Sequence, residues 1–519
     1  MKLSHVLRAV ASSWLAVFVN AVVGFLLTPY VLHHLGDVEF GLYTLVTMLT
    51  GYYGLFDLGV RSAILRFVSR ALALNDHDEI NCVISTAFYF YWGICVLAIL
   101  TTIFMLPWMP RLFGANGETA RAFQYLFLLA GIVQGLILPL NVFAASVDAS
   151  GRFDQVYMVQ IFSLLLRVVF LVVAIHAGGH LFAVGAVVLL SMFLSYVFQI
   201  PLALRQIHGI SLNPKWVRRS KLRELFRYSS VTIGIGLGEK VKAYISPVLV
   251  GLLMNPAAVT LFSLPTKLLR FPVDGIGTMT EVVNPASSHL EAHEDYVKLR
   301  RLLQLSVQGA FILVAPMSAF LLIYGRDLLR LWVGVAYLSA YPLLVVLTLG
   351  MCAGATQSSI QSMLFGIGRH KGLIGYRLGE SAIIIVVGSI ALKFSGLVAF
   401  SLVITATLLL TSLILVPRHV CQILGMTLSS YLMESCLKPC LLTLPFAAVL
   451  FGLHSWFPVK SWFGLLSVLT VSGLVFMATL SWSALRPGKE PGNHWASLGV
   501  LDVLAERARP ILSKARIFA

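Results

Sequence analysis

In a chain that is mostly apolar, the residues able to do chemistry are the few charges set inside long hydrophobic runs. Asp57 and Arg61 lie four residues apart in one such run, a spacing that puts both on one face of a helix. Lys240 and Lys242, then Lys267 and Arg270, occupy two later runs, and Asp274 and Glu281 stand seven residues apart, two turns along one face. A charge at the bilayer centre costs roughly 3 kcal/mol on insertion scales, so such residues usually face protein or a watery cavity. A charged inner face of this kind suggests a transport path. Acids there are the natural couplers to a proton or sodium gradient, which makes Asp57, Asp274 and Glu281 the ion-coupling candidates. Plain ion pairing is the competing account: Arg61 with Asp57, and Asp274 with Lys267 or Arg270. Lys267 and Arg270 can also snorkel to a membrane surface. Arg167, alone in its run, reads as a helix-packing or snorkelling residue.

The elements that must position these charges follow from hydropathy. Mean hydropathy is +0.88, and 12% of residues are charged, against about 25% in soluble domains. About fourteen apolar windows near the ~20 residues that cross a bilayer run from Val10 to Leu485. The expected fold is therefore an all-α polytopic membrane protein of about 14 transmembrane helices: two six-helix bundles plus two C-terminal helices. The first two segments are joined by a polar hinge at Gly36, Asp37 and Glu39, and Lys393-Phe394-Ser395-Gly396 marks a late turn. The net charge of +16 resides in short loops between spans, so no nucleic-acid partner is implied. The six cysteines form no CxxC pair, and Gly234-Ile235-Gly236-Leu237-Gly238-Glu239-Lys240 lacks the Ser or Thr of a phosphate loop. Neither a metal nor another cofactor is expected.

One parity of loops collects Lys2, Arg8, Arg66, Arg70, Arg152, the run from Arg205 to Arg227, Lys298, Arg300, Arg301, Arg369, Lys371, Arg377, Arg418 and the tail. The other holds only Arg111, Arg121, Arg326, Arg330, Lys393 and Lys460. That asymmetry makes both termini cytoplasmic. Pro29, Tyr43 and Asp57 have counterparts in Pro247, Phe262 and Asp274 at an offset near 217 residues, the mark of two halves related by an axis along the membrane normal. The expected organisation is a six-helix bundle over 1–210, a basic cytoplasmic linker at 211–227, a second six-helix bundle over 228–420, two extra helices over 428–485, and a cytoplasmic tail over 486–519. In the tail Leu498, Leu501, Leu504, Ile511 and Leu512 recur at helical spacing. They read as an amphipathic helix on the inner leaflet, with docking to another assembly protein as the alternative.

The order P-Y-V-L-H-H-L-G-D-V-E-F-G-L-Y from Pro29 and Y-Y-G-L-F-D-L-G-V-R-S-A-I-L-R-F from Tyr52 resembles the start of the bacterial polysaccharide-unit flippases (Wzx type). These share a superfamily with the MATE drug exporters and the lipid II flippases. L-F-S-L-P-T-K-L-L-R at 261–270 and L-L-R-L-W-V-G-V-A-Y at 328–337 agree, and the likeness covers roughly residues 10 to 420. What the resemblance implies is a transporter, not an enzyme, of the bacterial inner membrane. It would flip undecaprenyl-pyrophosphate-linked oligosaccharide for O-antigen, capsule or exopolysaccharide synthesis. Its partners would be the lipid-linked oligosaccharide, membrane lipids and polymer-assembly proteins. Such a substrate needs fixed cations to carry its pyrophosphate across a low-dielectric slab. Arg61, Lys240, Lys242, Lys267 and Arg270 are the candidates, with Asn20 as a sugar contact. A cation-coupled drug or small-solute antiporter of the same fold is the alternative. The acid that MATE exporters carry in their first span is missing here.

The orientation is directly testable. A reporter fused at Gly488 is expected to be fluorescent as a GFP fusion and inactive as an alkaline phosphatase fusion. The opposite pair of results would overturn both the span count and the inside placement of the C-terminus.

Overall fold

The computed structural model describes residues 3–57, 59–207, 209–280, 282–457 and 459–485; for 3–11, 228–240, 242–243, 278 and 482–485 it describes the backbone alone. Glu281, the 486–519 tail and the side chains of Lys240 and Lys242 therefore lie outside the described residues. Among the described residues every regular element is helical. In order these are α1 (Leu3–Tyr53), α2 (Val60–Ala73), α3 (His77–Met105), α4 (Met109–Leu112), α5 (Gly117–Ala149), α6 (Phe153–His176), α7 (Leu181–Gln206), α8 (Arg219–Leu253) and α9 (Pro256–Thr280). They continue as α10 (Val283–Ala292), α11 (Tyr296–Trp332), α12 (Tyr341–Gly366), α13 (Gly372–Leu410), α14 (Val416–Leu424), α15 (Leu428–Tyr431), α16 (Lys438–Leu442), α17 (Leu444–Trp456) and α18 (Trp462–Leu485). Among the described residues, ten helical stretches are long and apolar enough to cross a membrane. The protein is thus an all-α, multi-pass membrane protein. Two of those stretches, Ser12–Tyr53 with 42 residues and Gly372–Leu424 with 53, have length for two crossings each.

Both long stretches bend at a glycine that the sequence marked. Gly36 sits at φ 70 inside α1 and Gly396 at φ 77 inside α13, in the left-handed region that costs other residues roughly 1 kcal/mol or more. The two hinges have counterparts at the spacing of the sequence echo. The chain breaks between α8 and α9 at Met254 and Asn255, where the Asn255 carboxamide caps the new helix by accepting from Ala258 N at 2.8 Å. Gly178, at φ 76, turns α6 into α7.

The chain divides into two compact units, Met1–Ser263 and Leu264–Ala519, with the division inside α9. In the first unit, α2 presents Val60, Ala63, Ile64, Val68 and Ala71 on one stripe. They bury against Ile80, Ile84 and Tyr91 of α3 and Leu138 and Val142 of α5. The first turns of α8 are anchored here. Lys221 Nζ donates to Glu79 at 2.6 Å and to Glu224 at 2.5 Å and lies 5.3 Å above the Phe67 ring. Burial works against its charge, but the hydrogen bonds to Glu224 and Glu79 prevail and hold the ammonium above its usual range. In the second unit, α11 holds the C-terminal helices at both ends. Gln304 donates to Glu434 at 2.7 Å, while Arg330 donates to the Val459 carbonyl and pairs with Asp327 at 3.1 Å.

Within the first unit the hinge of α1 packs directly on the start of α9. Thr260 Oγ1 donates to the Asp37 carbonyl at 2.6 Å, and a Cβ on Gly41 would stand 1.9 Å from the Pro256 carbonyl oxygen. Gly41→Ala is therefore expected to lower stability by about 1–3 kcal/mol, the usual cost of overpacking against backbone. Gly36→Ala meets open space and should lower stability by only about 1 kcal/mol, through the strain of a Cβ at positive φ. Thermal melting of the two purified variants in one detergent checks the order.

Candidate functional site

Arg61 and Asp57 do not share a helix. α1 ends at Tyr53, a turn follows, and Gly59 at φ 67 starts α2 at Val60. Asp57 is left in the turn, and its carboxylate accepts from the fully buried Tyr91 hydroxyl of α3 at 2.5 Å. Arg61, one residue into α2, reaches α5 instead. Nη1 donates to Asn141 Oδ1 at 2.5 Å and Nη2 to Asp148 Oδ2 at 2.7 Å. Asn141 and Asp148 are seven residues apart and so lie on one face of α5. The Tyr196 phenol of α7 sits beside the same guanidinium. The ion pair foreseen for Arg61 exists, then, but its acid lies 87 residues away, where spacing along the chain cannot find it. The guanidinium keeps 35% of its side-chain surface open, and Asp148 only 12%.

Of the second-half candidates, Lys267, Arg270 and Asp274 fall on α9, and the backbone of Lys240 and Lys242 on α8. Arg270 Nε lies 3.4 Å from Asp274 Oδ2, one turn along the helix, with both side chains well exposed. This is the structural pairing weighed against ion coupling for Asp274. Lys267 is half-buried on the same helix and has interactions of its own. Asn20 is exposed on α1. What the candidate set lacks is a buried polar network in the second unit. Glu380 of α13, 1% exposed, accepts from Gln357 of α12 at 2.7 Å and from Thr411, and Arg377 Nη1 lies 3.3 Å from it. Arg377 also donates to Gln357 and, at 2.8 Å, to Gln361. Thr411 stands where α13 gives way to a π-helical turn, Thr411–Leu415, a local irregularity often found at functional positions. The pairs Gln357 with Gln361 and Arg377 with Glu380, each one helical turn apart in apolar windows, were the signal available in the sequence.

Together these features describe a helical membrane protein in which Arg61 and Arg377 are answered by carboxylates and amides of other helices and of their own. No group of three or more His, Cys, Asp or Glu side chains able to hold a metal occurs among the described residues. The polysaccharide biosynthesis protein family matches residues 35–342, more than half of the chain. The chain belongs to that family. It is a membrane transporter family of polysaccharide biosynthesis, not a family of enzymes. A Shigella flexneri protein assigned as an O-antigen transporter is 22% identical over 339 residues, covering 65% of this chain and 79% of the relative. Among solved structures, the lipid II flippase MurJ in an inward closed conformation superposes with a TM-score of 0.71 at 14% identity, over 90% of this chain and 98% of MurJ. An inward-facing multidrug resistance MATE transporter of the MOP superfamily gives 0.64 at 15% identity, over 80% and 95%. A MOP superfamily transporter from Pyrococcus furiosus gives 0.59 at 15%, over 82% and 96%. The fold of this family member is thus the fold of those transporters.

The Arg61–Asp148 pair makes a prediction about stability. Asp148→Asn strands a cation and should cost about 1–2 kcal/mol, less than the 3–5 kcal/mol of a fully buried pair because Arg61 is a third exposed. The double variant Arg61→Gln, Asp148→Asn should recover most of that loss in thermal melts. Replacing Asp57 with Asn in the Arg61→Gln background should not.

Proposed function

We propose that this protein flips undecaprenyl-pyrophosphate-linked oligosaccharide units across the bacterial inner membrane, for assembly of an O-antigen, capsule or exopolysaccharide. The observation that carries the reading is membership of a polysaccharide biosynthesis transporter family in a chain whose fold is likened over nearly its whole length to a flippase for lipid-linked sugar. The Shigella flexneri relative points to O-antigen as the nearest substrate class. In this reading Arg61, Lys267 and Arg270, with Lys240 and Lys242, offer charge to the pyrophosphate during passage, since a guanidinium presents a planar fork of donors suited to phosphate oxygens. Asn20 meets sugar. Asp57, Asp274 and Glu281 exchange a proton or sodium ion down its gradient. The topology proposed has fourteen crossings with both termini cytoplasmic. Counting α1 and the α13–α14 stretch as two crossings each, and adding α8 and α9, brings the ten candidate helices to that number.

A strain lacking the gene should lose surface polymer and accumulate lipid-linked units on the cytoplasmic side, and the cloned gene should restore export. Arg61→Gln, combined with Asp148→Asn to keep the fold balanced, should export at about a tenth of the wild-type rate or less. Unchanged polymer export in the deletion strain, together with newly gained sensitivity to cationic drugs, would replace the flippase with the small-solute antiporter.

A further inference from the structure

Arg61, Arg270 and Arg377 each have a carboxylate within 4 Å. Arg167 is different. It lies in the interior of α6, fourteen residues from Phe153 and nine from His176, or about 21 and 14 Å along the axis at 1.5 Å per residue. Neither end of the helix is within reach of its side chain, so snorkelling does not account for it. The helix also has two distinct faces. Met158, Phe162, Leu165, Val169 and Val173 form an exposed apolar stripe, the one suited to lipid. Val156, Ser163, Leu164, Leu171 and Ile175 form the buried stripe. Arg167 falls at four residues from Ser163, three from Leu164 and four from Leu171, on the buried stripe. Its guanidinium is directed into the helical bundle of the first unit and not toward lipid.

Among the described residues no carboxylate lies within ion-pair distance of Arg167, and its buried Nε has no hydrogen-bond partner. The titratable group close enough to act on it is the Tyr43 phenol, on the arm of α1 beyond the Gly36 hinge. A neutral phenol can orient a guanidinium and share a ligand oxygen with it, but it does not cancel the charge. An uncompensated cation at mid-membrane is costly enough that such residues usually mark the path of a substrate or ion. The residue is half-buried, so part of the group remains open to an incoming ligand.

We propose that Arg167, with Tyr43 beside it, is the oxyanion-binding point of the first unit and takes the pyrophosphate of a polyprenyl-linked sugar. This rests on the flippase reading and sharpens it. Arg61 is held by Asp148 and Asn141 and must give up existing partners to grip a phosphate, whereas Arg167 gains its counter-charge only when the substrate arrives. A fork of N–H donors on phosphate oxygens supplies that charge together with charge-assisted hydrogen bonds.

The test uses the full-length protein in detergent, with tryptophan fluorescence as the binding signal and thermal melting as the fold control. The probes are undecaprenyl pyrophosphate, neutral undecaprenol and inorganic pyrophosphate. Wild type is expected to bind undecaprenyl pyrophosphate, and Arg167→Gln to bind it at least tenfold more weakly, with affinity for undecaprenol unchanged. The ligand-free Arg167→Gln protein should melt at or above the wild-type temperature, because an unpaired charge has been removed. Arg167→Lys should recover part of the lost affinity. Wild-type affinity in Arg167→Gln would overturn the assignment while leaving the flippase reading intact. A lowered melting temperature that Arg167→Lys restores without restoring affinity would make the residue structural and overturn it too. Inorganic pyrophosphate bound as tightly as the lipid would reassign the point to a soluble anion. Failure of the wild-type protein itself to bind the pyrophosphate lipid would remove the flippase reading along with this one.

Discussion

A guanidinium inside an apolar slab must be answered, either by a group of the protein or by something brought to it, and much of this structure is arranged by that requirement. Arg61 binds α2 to α5 through Asn141 and Asp148. Arg377 and Glu380, with Gln357, Gln361 and Thr411, tie α12 to α13 and to the π-helical turn that follows. In a soluble protein such contacts compete with water and contribute little. In an apolar surround the groups have few other partners, so these contacts also specify which helices are neighbours.

The helices that carry these groups are too long to be simple rods. α1 and α13 bend at Gly36 and Gly396, and two further breaks fall at Met254–Asn255 and Gly178. One chemical solution, a residue that tolerates positive φ, serves three of the four. The fourth uses an asparagine that caps the new helix with its own side chain. In the first unit the α1 hinge and the start of α9 come close enough that Gly41 is required for lack of a side chain, while Gly36 supplies the bend.

The last helices belong physically to the second unit. Glu434 is held by Gln304 and Gln308 of α11 at one end, and Arg330 and Asp327 engage Val459 and His454 at the other. The family match ends at residue 342, but the packing does not. The paired contacts at both ends of α11 mean that losing the terminal helices would strand buried polar groups on a helix well inside the matched region.

Hydropathy and the hinges were legible from the sequence because each is set by residues close together in the chain. A bilayer-length apolar run has few alternatives to helix, and a glycine beside aspartate marks a bend. The polysaccharide-unit family was legible too, from the order and spacing of motifs near Pro29, Tyr52 and Leu328. The partners of the charges were not. Four-residue spacing pointed Arg61 to Asp57, but a helix break at Gly59 parted them, and the acid came from α5, 87 residues on. Arg167 gave no sequence sign of the side it faces, because lipid-facing and bundle-facing stripes of α6 are both apolar. In a membrane protein the pattern that separates inside from outside in water is absent, so only the packing of distant helices decides which charges meet.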